Sequence, residues 1–345
     1  MQLYKHGGDI YTNPEVMLDF SVNTNPLGMP KTVKRALLTN IDQYAHYPDP
    51  ECRELVATIA LRENLPEEWI LCGNGAADLI YRLCYAVKPH KALVLAPTFS
   101  EYEHALKQVD CQVIYHQLQE KDQFILTDKL EKKLVPGIDM LFLCHPNNPT
   151  GRLIPEHVME RILHKAGENQ TIVVLDECFL DFTEGMSTKQ YFNAVPGLVI
   201  LKAFTKLYAM AGLRLGYMLT ADKDLLNKTN EAGQCWSVSI PAQIAGVSAL
   251  SCNNWEEKTR DLIIKERDSL SRHLEELGLT VYPSDANYLL FKSEISLYES
   301  LLQKGILIRS CQNFRGLDDS YYRVCVKTSS ENDRLLEAIK EIIHG

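Results

Sequence analysis

At 345 residues, 46% hydrophobic and 23% charged, the chain can bury a sizeable core as one large domain with a smaller companion, and is neither disordered nor fibrous. A formal net charge of -9 and a sequence pI near 5.6 give no basic field for nucleic acid, so an anionic ligand must be held by a few local cations. The ten cysteines include no CxxC pair and are too dilute for a disulfide framework; reduced buried thiols and no metal site are expected.

The opening residues hold Lys5, His6 and a Gly pair where a secretory signal needs an apolar core, and apolar runs elsewhere are short. A soluble cytoplasmic protein with no membrane partner is expected. Residues 1–31, rich in Asn, Pro and Gly, read as an arm without a sheet partner of its own, packing on the smaller domain. A helical stretch over 79–87 follows Cys72-Gly73-Asn74-Gly75-Ala76-Ala77-Asp78. Then β-rich runs at 92–95, 112–115, 140–144, 172–175, 198–201 and 216–219 alternate with amphipathic helical stretches. That alternation predicts an α/β fold, a mostly parallel central sheet with helices on both faces. After about Ala221 longer helices precede strands at 279–281, 288–291, 306–308 and 322–326, a smaller α+β unit. The boundary is placed between Leu225 and Ile240, giving a large domain at 32–230 and a small one at 231–345. There is no internal repeat and no low-complexity linker.

Four segments carry candidate chemistry. Lys206 follows an apolar strand and precedes Ala211-Gly212-Leu213-Arg214-Leu215-Gly216. A lysine at a strand's end is ordinarily solvated, but Arg214 in its Gly-flanked turn offers a bidentate cation for a phosphate. Apolar surroundings would depress the Lys206 pKa and favour imine chemistry. Lys202 is the rival, yet strand alternation gives it no such partner. Asp176 ends the run 171–175 at the carboxyl end of a buried strand, where open α/β sheets place ligands. It serves there equally as a cap or, if pyridoxal 5'-phosphate (PLP) is present, as the carboxylate that keeps the pyridine nitrogen protonated.

His145-Pro146-Asn147-Asn148-Pro149-Thr150-Gly151 is a turn by default, and it presents Asn148 at the sheet's edge, where it could reach the cofactor's ring hydroxyl oxygen. The segment 72–78 fails as a dinucleotide fingerprint because Asp78 stands where the third Gly belongs, which disfavours a nicotinamide enzyme. Its small residues at a helix start still leave backbone N–H groups free for a phosphate, with Ala76 and Ala77 as donors. Phe99 could stack on a flat ring or simply join the core.

In this order the four segments resemble the fold-type-I PLP enzymes over nearly the whole chain. A narrower match, to the threonine-phosphate decarboxylases of cobalamin biosynthesis and next to the histidinol-phosphate aminotransferases, rests on three pieces. They are His6-Gly7-Gly8-Asp9-Ile10, the stretch Leu18-Asp19-Phe20-Ser21-Val22-Asn23-Thr24-Asn25-Pro26-Leu27-Gly28, and Ile306-Leu307-Ile308-Arg309-Ser310-Cys311 with Tyr321-Tyr322-Arg323-Val324. The resemblance implies a PLP-dependent transferase fold, with Lys206 as the Schiff-base lysine, Asp176 as the pyridinium partner, Asn148 on the hydroxyl oxygen and Phe99 stacked on the ring. Arg214, Thr205, Ala76 and Ala77 would hold the cofactor phosphate. Arg323 would take the substrate carboxylate and Arg309 the substrate phosphate, with His6, Asn23 and Asn148 lining the same pocket. Tyr47 would reach the cofactor of a neighbouring subunit, implying a homodimer.

Two positions depart from the aminotransferase pattern. Phe179 stands where a tyrosine usually bonds the hydroxyl oxygen, which suits a decarboxylase, and Ala203 replaces a phosphate-binding serine, a loss of about 0.5 to 1.5 kcal/mol. The implied reaction is decarboxylation of threonine phosphate, with aminotransfer the alternative and a non-catalytic metabolite-binding module a third reading. Serine phosphate differs by one methyl, about 1 to 3 kcal/mol of discrimination.

Overall fold

The structure, a computed structural model, describes residues 6–345; the part of the arm formed by residues 1–5, Lys5 included, lies outside the described residues. The chain begins with a short strand, β1 (Leu18–Asp19), and continues into helices α1 (Lys31–Thr39) and α2 (Arg53–Glu63). Next come β2 (Ile70–Gly73), α3 (Ala76–Val87), β3 (Lys91–Ala96), α4 (Ser100–Lys107), β4 (Gln112–Gln117) and β5 (Met140–Cys144). Then follow α5 (Glu156–Glu168), β6 (Ile172–Asp176), β7 (Leu198–Ala203), the one-turn helix α6 (Phe204–Leu207), β8 (Gly216–Leu219), α7 (Lys223–Glu231) and α8 (Ile240–Leu250).

Seven strands form the central sheet in the order β2-β8-β7-β6-β5-β3-β4. Those from β7 to β4 run parallel, while β8 is antiparallel to both its neighbours. All five residues of β5 are buried, because a parallel strand covered on both faces must be apolar throughout. Each buried Leu or Phe there contributes about 1.5–3 kcal/mol. The sequence reading omitted β2. Four residues that enter the sheet only through antiparallel β8 carry too little periodicity to register as a strand.

The long helix α9 (Trp255–Glu276) leads to β9 (Thr280–Val281), β10 (Tyr288–Lys292), α10 (Tyr298–Gln303), β11 (Ile306–Leu307), β12 (Arg309–Ser310), β13 (Tyr321–Cys325) and α11 (Ser329–His344). The order β12-β13-β10-β9 makes a second, antiparallel sheet with its own core of Leu289, Phe291, Val324, Leu335 and Ile339. Helix α11 opens on a Thr328–Glu331 capping box, and α8 on the Ser239 side chain with a proline in its first turn. Helix α8 packs on α1 and α2, and its Ala242, Ala245 and Ala249 join the large core. The arm, expected to lack a sheet partner, has one. Leu18 and Asp19 pair in parallel with Ile306 and Leu307, and Phe20 enters the small core.

Candidate active site

Parallel strands put their carboxyl ends on one edge of the sheet, and the candidate residues collect there. Register pairs Cys144 with Asp176 and Asp176 with Leu201, so the turn after β5, the end of β6 and the α6 segment after β7 are adjacent. The segment after β3 brings Phe99.

Asp176 is buried; its Oδ2 accepts from the Tyr102 hydroxyl at 2.6 Å and its Oδ1 from the Cys178 amide at 3.0 Å. Tyr102 lies parallel to Phe142 with centroids 5.0 Å apart and meets the edge of Phe99 at 5.6 Å. Burial, then the Asp176 charge, push the Tyr102 phenol well above its ordinary value, so it remains a donor.

Lys206 stands 5.5 Å from the centroid of the Phe179 ring. Burial first, then the charge of Arg323, bring its amine down to about 8. Its helix is buttressed from the arm: the Asn25 amide donates to Lys206 O at 3.0 Å and the Asn25 side chain to Leu207 O at 2.7 Å. Lys202, the rival, is committed elsewhere, buried against Glu63 at 3.1 Å and Asp181 at 3.7 Å.

Asn148 accepts from Arg323 Nη1 at 2.5 Å, and Arg323 Nη2 donates to Ser21 O at 2.7 Å. Arg323 Nε and Asn23 Oδ1 are buried without a hydrogen-bond partner. Arg309 is paired across β12–β13 with Arg323 and donates to Asn313 Oδ1 at 2.7 Å. Burial, then Arg323, lower the Arg309 guanidinium to about 10.

At the start of α3, Gly75 has φ +85°, and a Cβ there would lie 2.7 Å from Arg214 Nη2. The guanidinium thus covers a bare turn that leads into the Ala76 and Ala77 amides, while buried Thr205 sits on α6. His6 lies 6.1 Å from Phe99, centroid to centroid. Tyr47 stands apart, 81% exposed and 4.9 Å from the Trp236 ring.

Three participants escaped the sequence reading: Tyr102, Asn25 as the support of α6, and Asn147. The last holds the 145–151 turn, donating to Pro97 O at 3.0 Å and accepting from Thr98 at 2.7 Å. Phe99 precedes α4 and Tyr102 lies in its first turn, so no shared helix face signalled the pair in the sequence.

The residues present suit PLP. A buried carboxylate, an amine of lowered pKa, an aromatic ring and a guanidinium above a bare helix start match its pyridine nitrogen, aldehyde, ring face and phosphate respectively. Fold and site define a fold-type-I PLP enzyme. Residues 15–339 match the class I and II aminotransferase family, and the chain belongs to that family of PLP-dependent enzymes. It is 39% identical to the threonine-phosphate decarboxylase of Salmonella typhimurium, over 99% of this chain and 97% of that one. It is 30% identical to the adenosylcobalamin biosynthesis bifunctional protein of Leptospira interrogans, over 100% of this chain and 42% of that one. The crystal structure of histidinol-phosphate aminotransferase from Clostridium acetobutylicum superposes with a TM-score of 0.89 at 31% identity, covering 95% of this chain and 99% of that one. Among the described residues no helix is long and apolar enough to cross a membrane.

Proposed function

We propose that the chain decarboxylates L-threonine O-3-phosphate to (R)-1-amino-2-propanol O-phosphate in cobalamin biosynthesis, as a cytoplasmic homodimer. The observation that carries this reading is the cross-strand pair of buried arginines, Arg309 opposite Arg323. Like charges facing each other across antiparallel strands repel. Among the described residues neither arginine is ion-paired with a carboxylate, so the pair calls for a ligand with two anionic groups. A phosphorylated α-amino acid supplies both.

In this reading Lys206 carries the cofactor and Asp176, held by Tyr102 and Cys178, faces its ring nitrogen. Asn148 faces the hydroxyl oxygen, Phe99 the ring, and Arg214, Thr205, Ala76 and Ala77 the phosphate. Held by these residues, the cofactor would supply an electron sink for the pair left on Cα when CO2 departs. Arg323 holds the carboxylate by its free Nε and the groups it shares with Asn148 and Ser21, fixing the direction of the bond that breaks. Arg309, His6 and Asn23 take the phosphate end. Lys206, whose amine near 8 exists in both forms around neutral pH, returns a proton to Cα. Tyr47 belongs to the site of a second copy.

A histidinol-phosphate aminotransferase is the second reading, favoured by the superposition on the Clostridium enzyme. Histidinol phosphate has no carboxylate, so Arg323 would then serve only the keto-acid co-substrate. The test is an assay with PLP and carboxyl-labelled threonine or serine phosphate, and separately histidinol phosphate with 2-oxoglutarate. Labelled CO2 without glutamate supports the decarboxylase and ranks its substrates; glutamate without CO2 replaces it by the aminotransferase.

A further inference from the structure

The first turn of α4 bears a carboxylate that no part of the proposed chemistry uses. Glu101, two residues beyond Phe99, receives three donors from three places. Its Oε1 meets His6 Nε2 at 2.9 Å and His104 Nδ1 at 3.3 Å, and its Oε2 accepts from Tyr81 at 2.9 Å. Tyr81 lies on α3, the helix that begins with Ala76 and Ala77. His6 belongs to the arm.

Beyond His6 the arm is pressed against the other side of the site. A Cβ on Gly7 would come within 2.2 Å of Ser21 O, and the Gly8 amide donates to Ser21 Oγ at 2.7 Å. That same Ser21 carbonyl accepts from Arg323. His6 is therefore pinned between α4, whose first turn carries Glu101, and the Ser21 segment whose carbonyl accepts from Arg323.

We propose that Glu101 is a positioning residue for phosphate recognition: its carboxylate anchors His6 over the site mouth, so that the other ring nitrogen is presented to a phosphate dianion. This rests on the reading of the substrate as a phosphorylated amino acid. The His6 hydrogen bond, working against burial, brings the Glu101 carboxyl down to about 2, so it is an anion at neutral pH. A ring that donates from Nε2 to a carboxylate and from Nδ1 to a phosphate needs an N–H on both nitrogens, which only the imidazolium has. Tyr81 and His104 hold the carboxylate in turn, and without them a half-exposed histidine would lose much of its orientation.

The experiment compares wild type, Glu101→Gln, His6→Ala and the double variant as holoenzymes. It measures inhibition by inorganic phosphate together with KM and kcat for threonine phosphate. Cofactor absorbance and thermal midpoint report folding. Each single variant is expected to weaken phosphate inhibition and raise KM by about tenfold, the effect of one charge-assisted hydrogen bond, with the change falling on KM and not on kcat. The double variant should lose no more than either single one. Losses that multiply, wild-type phosphate inhibition in Glu101→Gln, or a fall in kcat at constant KM overturn the proposal. If threonine phosphate is not decarboxylated, the function reading falls, while direct titration of each holoenzyme with inorganic phosphate, followed by cofactor absorbance, still decides the role of Glu101.

Discussion

Replacing Lys206 by methionine is expected to stabilise the cofactor-free protein. The amine is drawn from 10.5 to about 8, by burial first and then by Arg323, with Cys178 and Cys325 acting in the opposite sense. That displacement corresponds to about 3 kcal/mol, at 1.36 kcal/mol per pH unit, against the charged form in the folded chain. The residue is partly exposed, so solvent screens part of this and about 1–2 kcal/mol is expected. Below about pH 8 the amine is protonated in both folded and unfolded chains, and the penalty is fully present. Above 10.5 it is neutral in both and the penalty is gone, so wild-type stability rises through that window. Methionine keeps the length and removes the charge. Urea denaturation of both cofactor-free proteins, followed by tryptophan emission at pH 7 and pH 10.5, reads the difference and cancels groups common to both. The variant should be more stable by about 1–2 kcal/mol at pH 7, with the gap closing towards pH 10.5. A variant no more stable than wild type at pH 7, or a gap that ignores pH, refutes the reasoning and leaves Lys206 an ordinary solvated lysine.

Tyr102→Phe removes the hydroxyl donor to Asp176 Oδ2 and should weaken PLP retention by about tenfold in an absorbance titration, as expected for one hydrogen bond to a charged group; unchanged affinity would make Tyr102 mere packing. Gly75→Ala places a methyl against Arg214 in a left-handed backbone, so cofactor affinity should fall while the apo-protein midpoint drops by about 1 kcal/mol or more. Arg323→Gln should raise KM for threonine phosphate by at least about tenfold, since a carboxylate then loses a charged partner; an effect confined to phosphate inhibition would instead assign Arg323 to the phosphate. At Glu63 burial opposes ionisation, but Lys202, Tyr217 and Lys189 overcome it and bring the carboxyl to about 2. Its stabilisation is present above 4.5 and lost as pH falls towards 2, so Glu63→Gln should cost about 2–4 kcal/mol at pH 7 and progressively less in acid denaturation at pH 3.

Much of the site was legible because its residues sit where apolar runs stop. Asp176, the 145–151 turn and Lys206 each follow a β-rich segment, and a buried parallel strand must release its chain at the carboxyl edge. The short strand β2 and the pairing of Leu18–Asp19 were not legible, since segments of four and two residues have no period of their own. Tyr102 and Glu101 look like ordinary members of an amphipathic helix; only folding shows that one faces Asp176 and the other His6.

The sequence by itself determined the α/β alternation, the chemical kinds of group at the strand ends and, through Arg309 and Arg323, the cations in the small unit. Tertiary structure alone decided that those two arginines face each other, that Asn148 meets an arginine 175 residues away, and that Lys202 is neutralised by Glu63 while Lys206 is not. The physical reason is that strand alternation sets which face a side chain takes, whereas its charge environment comes from whatever distant segments pack there.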